Sequence, residues 1–315
     1  MKQFMKILCF IILILFTCVN SKLVVTGAAE GLKVWYNNLV PVVLPFLLIS
    51  GLFMTTIDFD KISHGMSILV LAICGILCGY PVGAITAGQL YKNNAISYKT
   101  ACALLPLCNN ISPMFLYGYI YTRFMSNTYT FSMVLLFIYV PQLIYALFYI
   151  FTFSLWDKVK SNSKNINYDK KRRSPKINTT TDNLSSNSNS NKSTSSISMV
   201  LDQSIHTITI IGIYIVIFSI IDCVLVNKVN GNIYIDILSC FLEITKGSEK
   251  LFDLTILGNI KTALILSLTS FGGISAIFQS VHLLKESKLS LIHYVSGKLI
   301  CSIITFFFVY MVSGL

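Results

Sequence analysis

The sequence predicts an all-α polytopic membrane protein, built as two repeated halves with re-entrant or broken helices and about eight crossings. Three observations lead there. The 315 residues are 54% hydrophobic and only 12% charged, with a mean hydropathy of +0.71, which excludes a soluble domain of ordinary composition. Uncharged runs cover 34–57, 65–91, 100–122, 124–156, 203–221 and 262–284. Each is near or above the roughly 20 residues that a helix needs to cross about 30 Å of hydrocarbon. Finally, two helix-breaking knots, GYPVG at 79–83 and FGGIS at 271–275, interrupt long apolar stretches that end alike. Gly79 precedes Lys92 by 13 residues and Ser97 by 18, and Gly272 precedes Lys285 and Ser290 by the same intervals, which reads as an internal repeat.

Taken in order, Lys2 and Lys6 introduce an apolar stretch, 7–29, that carries only Lys22. No small-x-small cleavage site follows Phe16, so this is expected to be a retained first span. Five apolar stretches precede Asp157, yet an even number of crossings is required if the N-terminus and the following polar segment share one side. The stretch at 30–57 is therefore expected to enter and return, because Pro41 and Pro45 interrupt its middle. A connecting helix at 131–156 completes the first membrane repeat, 1–156.

Residues 157–197 form a linker in which 22 of 41 residues are Ser, Thr or Asn. It holds nine of the 24 basic residues against three acidic ones, and nine minus three gives +6 of the net +11. Such a segment is predicted to be disordered and cytoplasmic, its charge following the positive-inside rule. Its KKRR run could bind RNA or anionic lipid, but only Tyr168 could stack on a base, so no nucleic-acid partner is expected. The second repeat, 198–315, contains a stretch at 238–252 that is expected to be re-entrant like 30–57. Its last apolar stretch, 289–315, carries one lysine, Lys298. On this count Lys92, Lys99, Lys285 and Lys288 lie inside, and the halves run parallel.

The nine cysteines never form a C-x-x-C pair and suit small packing residues better than disulfides or metal. His64, His206, His282 and His293 have no metal-ligand spacing, and no hydrolase or phosphate-loop pattern appears. Neither enzymatic activity nor a cofactor is expected.

The candidate site residues gather at the knots. A half-helix starting near Pro81, Val82 and Gly83 after Gly79 would offer free N–H groups and a positive dipole end to a solute, and Gly272, Gly273 and Ser275 would do the same. Two facing helix starts can hold an anion without a buried lysine. Close packing of small residues is the alternative. Asn109, Asn110 and Ser112, between Pro106 and Pro113, are costly in hydrocarbon unless paired, and suit a polar substrate or a coupling cation, or else cap broken helix ends. Glu243 would sit in the second re-entrant stretch. It is a candidate for proton coupling, or else pairs with Lys246. Gln279 corresponds to Thr86 across the repeat and would line the same path. Glu30 and Asp222 fall at segment ends, where charge is expected.

Five stretches, AAEGLKVWYNNLVPVVLPFLLISGLF, GYPVGAITAGQLYKNNAIS, CNNISPMFLYG, LEITKG and FGGISAIFQ, occur in the order in which they stand in the YlbJ-type (SpoVV) sporulation integral membrane proteins, which carry paired nucleoside-recognition (Gate) domains. The chain resembles that family over most of its length outside the linker. The resemblance implies an outer forespore membrane protein that moves dipicolinic acid into the developing spore, and a relation to concentrative nucleoside transporters. Dipicolinate is a planar dianion, suited to helix starts and amide donors. The second knot lacks the proline of the first, so the two half-sites need not be alike. Two other readings stay open: nucleoside transport, and a non-transporting scaffold that recruits spore-assembly proteins through 157–197.

Overall fold

The computed structural model describes Ile7, Ile11 and residues 14–56, 63–162, 191–228 and 233–313. All regular elements among these residues are helical. Five stretches are long and apolar enough to cross a membrane: Ser21–Phe53, Phe131–Thr152, Ile197–Lys228, Gly258–Val281 and Leu291–Ser313.

The first expectation to change is the hairpin at 30–57. Helix α1 (Ser21–Val34) continues through a π-helical segment, Trp35–Leu39, into α2 (Val40–Thr56), so the chain runs straight through both prolines. The ring of Pro41 would clash with the carbonyl of Asn37 four residues before it. The wide π turn that contains Asn37 relieves that clash.

The hairpin forms one element later. Helix α3 (His64–Cys78) starts on Ser63, whose side chain accepts from Met66 N–H at 3.3 Å. Gly79 (φ +74°) then turns the chain, and α4 (Val82–Lys92) returns along α3, bringing Ala95 O within 3.0 Å of His64 Nδ1. Helix α5 (Tyr98–Cys108), capped by Ser97, is interrupted at 109–112 and resumes as a single turn, α6 (Pro113–Phe115), and a π-helical segment, Leu116–Met125. Helix α7 (Phe131–Asn162) follows.

The polar segment leads into α8 (Asn191–Lys228), so residues 157–162 and 191–197 of the predicted linker are helical and the rest of it lies outside the described residues. Helices α9 (Ile233–Cys240) and α10 (Ile244–Asp253) form a second hairpin. Helix α11 (Gly258–Phe271) passes through Gly272 and Gly273, with φ +89° and +81°, into α12 (Gly273–Glu286). Helix α13 (Leu291–Ser313) ends the fold without interruption.

Pairwise contacts fix the directions. Gly27 and Gly31 of α1 lie against Ile220 and Val216 of α8, Gly212 lies under Trp35, and Gly51 of α2 meets Val200, so these long helices are antiparallel. The small residues let the two backbones approach closely. Helices α7 and α13 are also antiparallel, with Tyr149 beside His293 and Phe137 beside Phe308. The hairpin α3–α4 opens at the end of the bundle that holds 162 and 197, where Gly88 touches Ser287. The hairpin α9–α10 opens at the far end, where the tilted rings of Phe124 and Phe252 meet with centroids 5.2 Å apart.

This geometry alters the register read from sequence. The knot at 79–83 is a hairpin tip, whereas the knot at 271–275 interrupts a helix that runs end to end, so the equal spacings join unlike elements. Each half instead pairs a hairpin tip with a broken helix: 79–81 meets the break at 109–112, and 241–243 meets the break at 272–275. The matching sequence is then NNISPMF at 109–115 beside GGISAIF at 272–278.

Candidate solute-binding centre

Both breaks lie inside the bundle. At the first, Tyr80 N–H donates to Asn110 O at 2.7 Å and Ala84 N–H donates to Asn109 Oδ1 at 3.1 Å. Asn109 Nδ2 reaches across to Ser280 Oγ at 2.8 Å and Tyr294 Oη at 2.9 Å. A side chain on Gly83 would overlap the Cys108 carbonyl, and one on Gly79 would lie 2.7 Å from Asn110 O. Ser112 caps α6 by accepting from Phe115 N–H at 3.3 Å. Glycines 79 and 83 therefore serve close approach of backbone, the packing alternative.

At the second break Ile274 N–H donates to Phe241 O at 2.8 Å and Ser275 N–H to Leu242 O at 2.9 Å. The helix starts predicted to face a solute thus have Ala84, Ile274 and Ser275 N–H already occupied by protein acceptors. The reason is general: buried peptide groups take the nearest partner, and each hairpin tip supplies one. Packing at Gly272 is looser. The nearest atoms to an added Cβ are Ala276 Cβ at 3.6 Å, Tyr80 Cε1 at 3.9 Å and Lys298 Cε at 4.0 Å. Gly273 lies beside Glu243 and Ile244.

Glu243 is buried, but it is neither an isolated carboxylate nor the partner of the Lys246 side chain. It caps α10, accepting from Thr245 N–H, Lys246 N–H and Thr245 Oγ1, each at 2.9 Å. Lys246 Nζ goes to Glu30 Oε2 instead, at 2.5 Å.

Two adjoining cavities, about 280 and 180 Å3, lie between α2, α4, α8 and α12 and share Gln203 and Thr207. Val82, Thr86 and Gln89 line the first, and Pro81 and Gln279 line the second. Thr86 and Gln279, expected to line one path, lie on separate neighbouring cavities. Gln279 Nε2 donates to Ser275 Oγ at 3.2 Å, while its Oε1 has no hydrogen-bond partner.

The residue that sequence reasoning passed over is Lys298. It sits on α13 at 1% exposure, and its Nζ donates to Asn110 Oδ1 at 2.7 Å. No carboxylate pairs with it among the described residues. An ammonium has three N–H donors, and a neutral amide is a poor substitute for a counter-charge. The available signal was a single lysine in an otherwise uncharged stretch, 289–315. Tyr294, one turn earlier on α13, and Ser280 were also missed, since serine and tyrosine carry no spacing signal. Together Asn109, Asn110, Ser280, Tyr294 and Lys298 join α4, α5, α12 and α13 in one polar centre beside the left-handed backbone of Gly272. No protein-family model, no curated protein and no solved structure matches the chain.

Proposed function

We propose that this protein carries a small anion across the membrane, and that dipicolinate, the solute implied by the resemblance to the YlbJ-type proteins, is that anion. One observation carries the reading: Lys298, a fully buried basic side chain with no carboxylate partner among the described residues, donates to a neutral amide oxygen where two broken helices and two hairpin tips converge. A cation at that depth is costly unless a negative charge visits it. The anion reading thus passes from helix starts to Lys298, with Asn110 and Tyr294 as neighbouring polar groups. In this reading six crossings, 14–56, 98–125, α7, α8, α11–α12 and α13, replace the eight expected. The hairpins α3–α4 and α9–α10 enter from opposite sides, so the halves are inverted, an arrangement used by transporters with central sites. Lys92, Lys99, Lys285 and Lys288 then share the side of the linker, in keeping with the positive-inside rule.

Uptake of labelled dipicolinate into proteoliposomes tests the proposal. Lys298→Met is expected to lower the rate about tenfold or more, the effect of losing a charge-assisted hydrogen bond, and Lys298→Arg to keep part of it. Uptake no faster than in empty vesicles, or equal rates for wild type and Lys298→Met, would overturn it. Uptake of uridine that dipicolinate does not compete with would favour nucleoside transport instead.

A further inference from the structure

Among the described residues, the second hairpin is fastened by ion pairs and the first is not. Three successive charges on α10 each bind a different element: Lys246 pairs with Glu30 of α1 at 2.5 Å, Arg123 of the π-helical segment pairs with Glu249 at 2.7 Å, and Lys250 pairs with Asp222 of α8. These groups line an open cavity of about 680 Å3 between α1, α8 and α10. Two of the three pairs contain a side chain that is about half exposed: Glu30 at 52%, and Arg123 and Glu249 at 47% and 48%. Solvent and salt reach such pairs and weaken them. The hairpin arms also hold to each other. A side chain on Gly247 would overlap Cys240 O, and Lys250 Nζ reaches Ser239 Oγ at 3.2 Å. Its tip supplies the carbonyls, Phe241 O and Leu242 O, that occupy the N–H groups of Ile274 and Ser275.

From these contacts we propose that the α9–α10 hairpin is a gate over the second break, latched by the three ion pairs of α10. Releasing the latch withdraws the two tip carbonyls and offers the N–H groups of Ile274 and Ser275, along with Lys298, to a carboxylate. The hairpin then acts as an internal stand-in for the solute. This gate rests on the anion-transport reading only for the identity of what replaces the tip; the latch itself is a property of the protein alone.

Cys240, buried at the tip end of α9, gives a native reporter. In full-length protein in nanodiscs without ligand, modification of Cys240 by N-ethylmaleimide is followed on its own peptide by mass spectrometry, with hydrogen exchange over the segment that carries Ile274 and Ser275. The double variant Arg123→Gln/Lys246→Gln is expected to accelerate both about tenfold, the combined effect of two partly exposed pairs. Raising KCl from about 0.05 to about 0.5 M should do the same to the wild type in smaller measure. The charge swap Glu30→Lys/Lys246→Glu should return to within about twofold of wild type. Unchanged rates in the double variant and in high salt overturn the latch, and so does acceleration in Lys246→Glu that the swap fails to reverse. Adding dipicolinate separates the two claims: a latch that opens with charge loss but an exposed segment that dipicolinate does not protect leaves the gate standing and removes the anion reading.

Discussion

The two hairpins do the same geometric job with opposite chemistry. Helices α3–α4 are apolar and contact the break at 109–112 through glycine backbone and a side-chain amide, with Gly75 and Gly83 both against Cys108. Helices α9–α10 present a polar arm, ITKGSEKLFD, and are held from outside by ion pairs. Backbone overlap cannot relax by rotating a side chain, whereas partly exposed ion pairs exchange with water and salt. The comparison teaches that the first tip is built to stay and the second to leave. Polarity also runs in reverse: the first tip donates to its break through Tyr80 N–H, and the second accepts from its break through Phe241 O and Leu242 O.

Substitutions at equivalent places should therefore have unequal effects. The largest is expected for Gly83→Val, whose branched side chain would overlap Cys108 O and cost about 3 kcal/mol or more. Its melting temperature in detergent should collapse, and a protein as stable as wild type would show that the first tip is not fixed by backbone contact. Next comes Asn109→Ala, which strips partners from Ala84 N–H, Ser280 and Tyr294, at about 2–3 kcal/mol. Thermal unfolding should detect it, and a loss under about 0.5 kcal/mol would mean that the amide is replaceable. The smallest is Gly272→Ala. Left-handed backbone costs an alanine about 1–2 kcal/mol, but no atom lies closer than 3.6 Å to the new Cβ. Here melting should move little while solute uptake falls several-fold; the reverse pattern would place Gly272 in the fixed part of the molecule.

Much of the architecture could be read from residues along the chain. Helix-breaking glycines at 79 and 272 and the apolar runs act over a few positions, and they appear where the residues require. The prolines at 41 and 45 misled because a π turn upstream absorbs the clash of Pro41 and the helix carries Pro45 in its interior, and a π turn has no sequence signature of its own. The pairing of the two knots misled for another reason. Equal spacing cannot tell a hairpin that turns back from a break in a helix that runs on, since both need glycine. The ISPMF and ISAIF stretches were the better match, but they are short and degenerate until contacts single them out.

What the sequence determined alone is where peptide groups lose their helical partners, because proline, glycine and capping serine act locally through φ, sterics and one hydrogen bond. What only tertiary structure decided is which group fills each gap. Lys298 and Asn110 meet across 188 residues, as Asn109 and Tyr294 do across 185. Glu243 and Lys298 both fall within largely apolar stretches, yet one caps a helix and the other faces a neutral amide. Charge and hydropathy are the same kind of signal for both, and the difference arises from which backbone the fold brings within 3 Å.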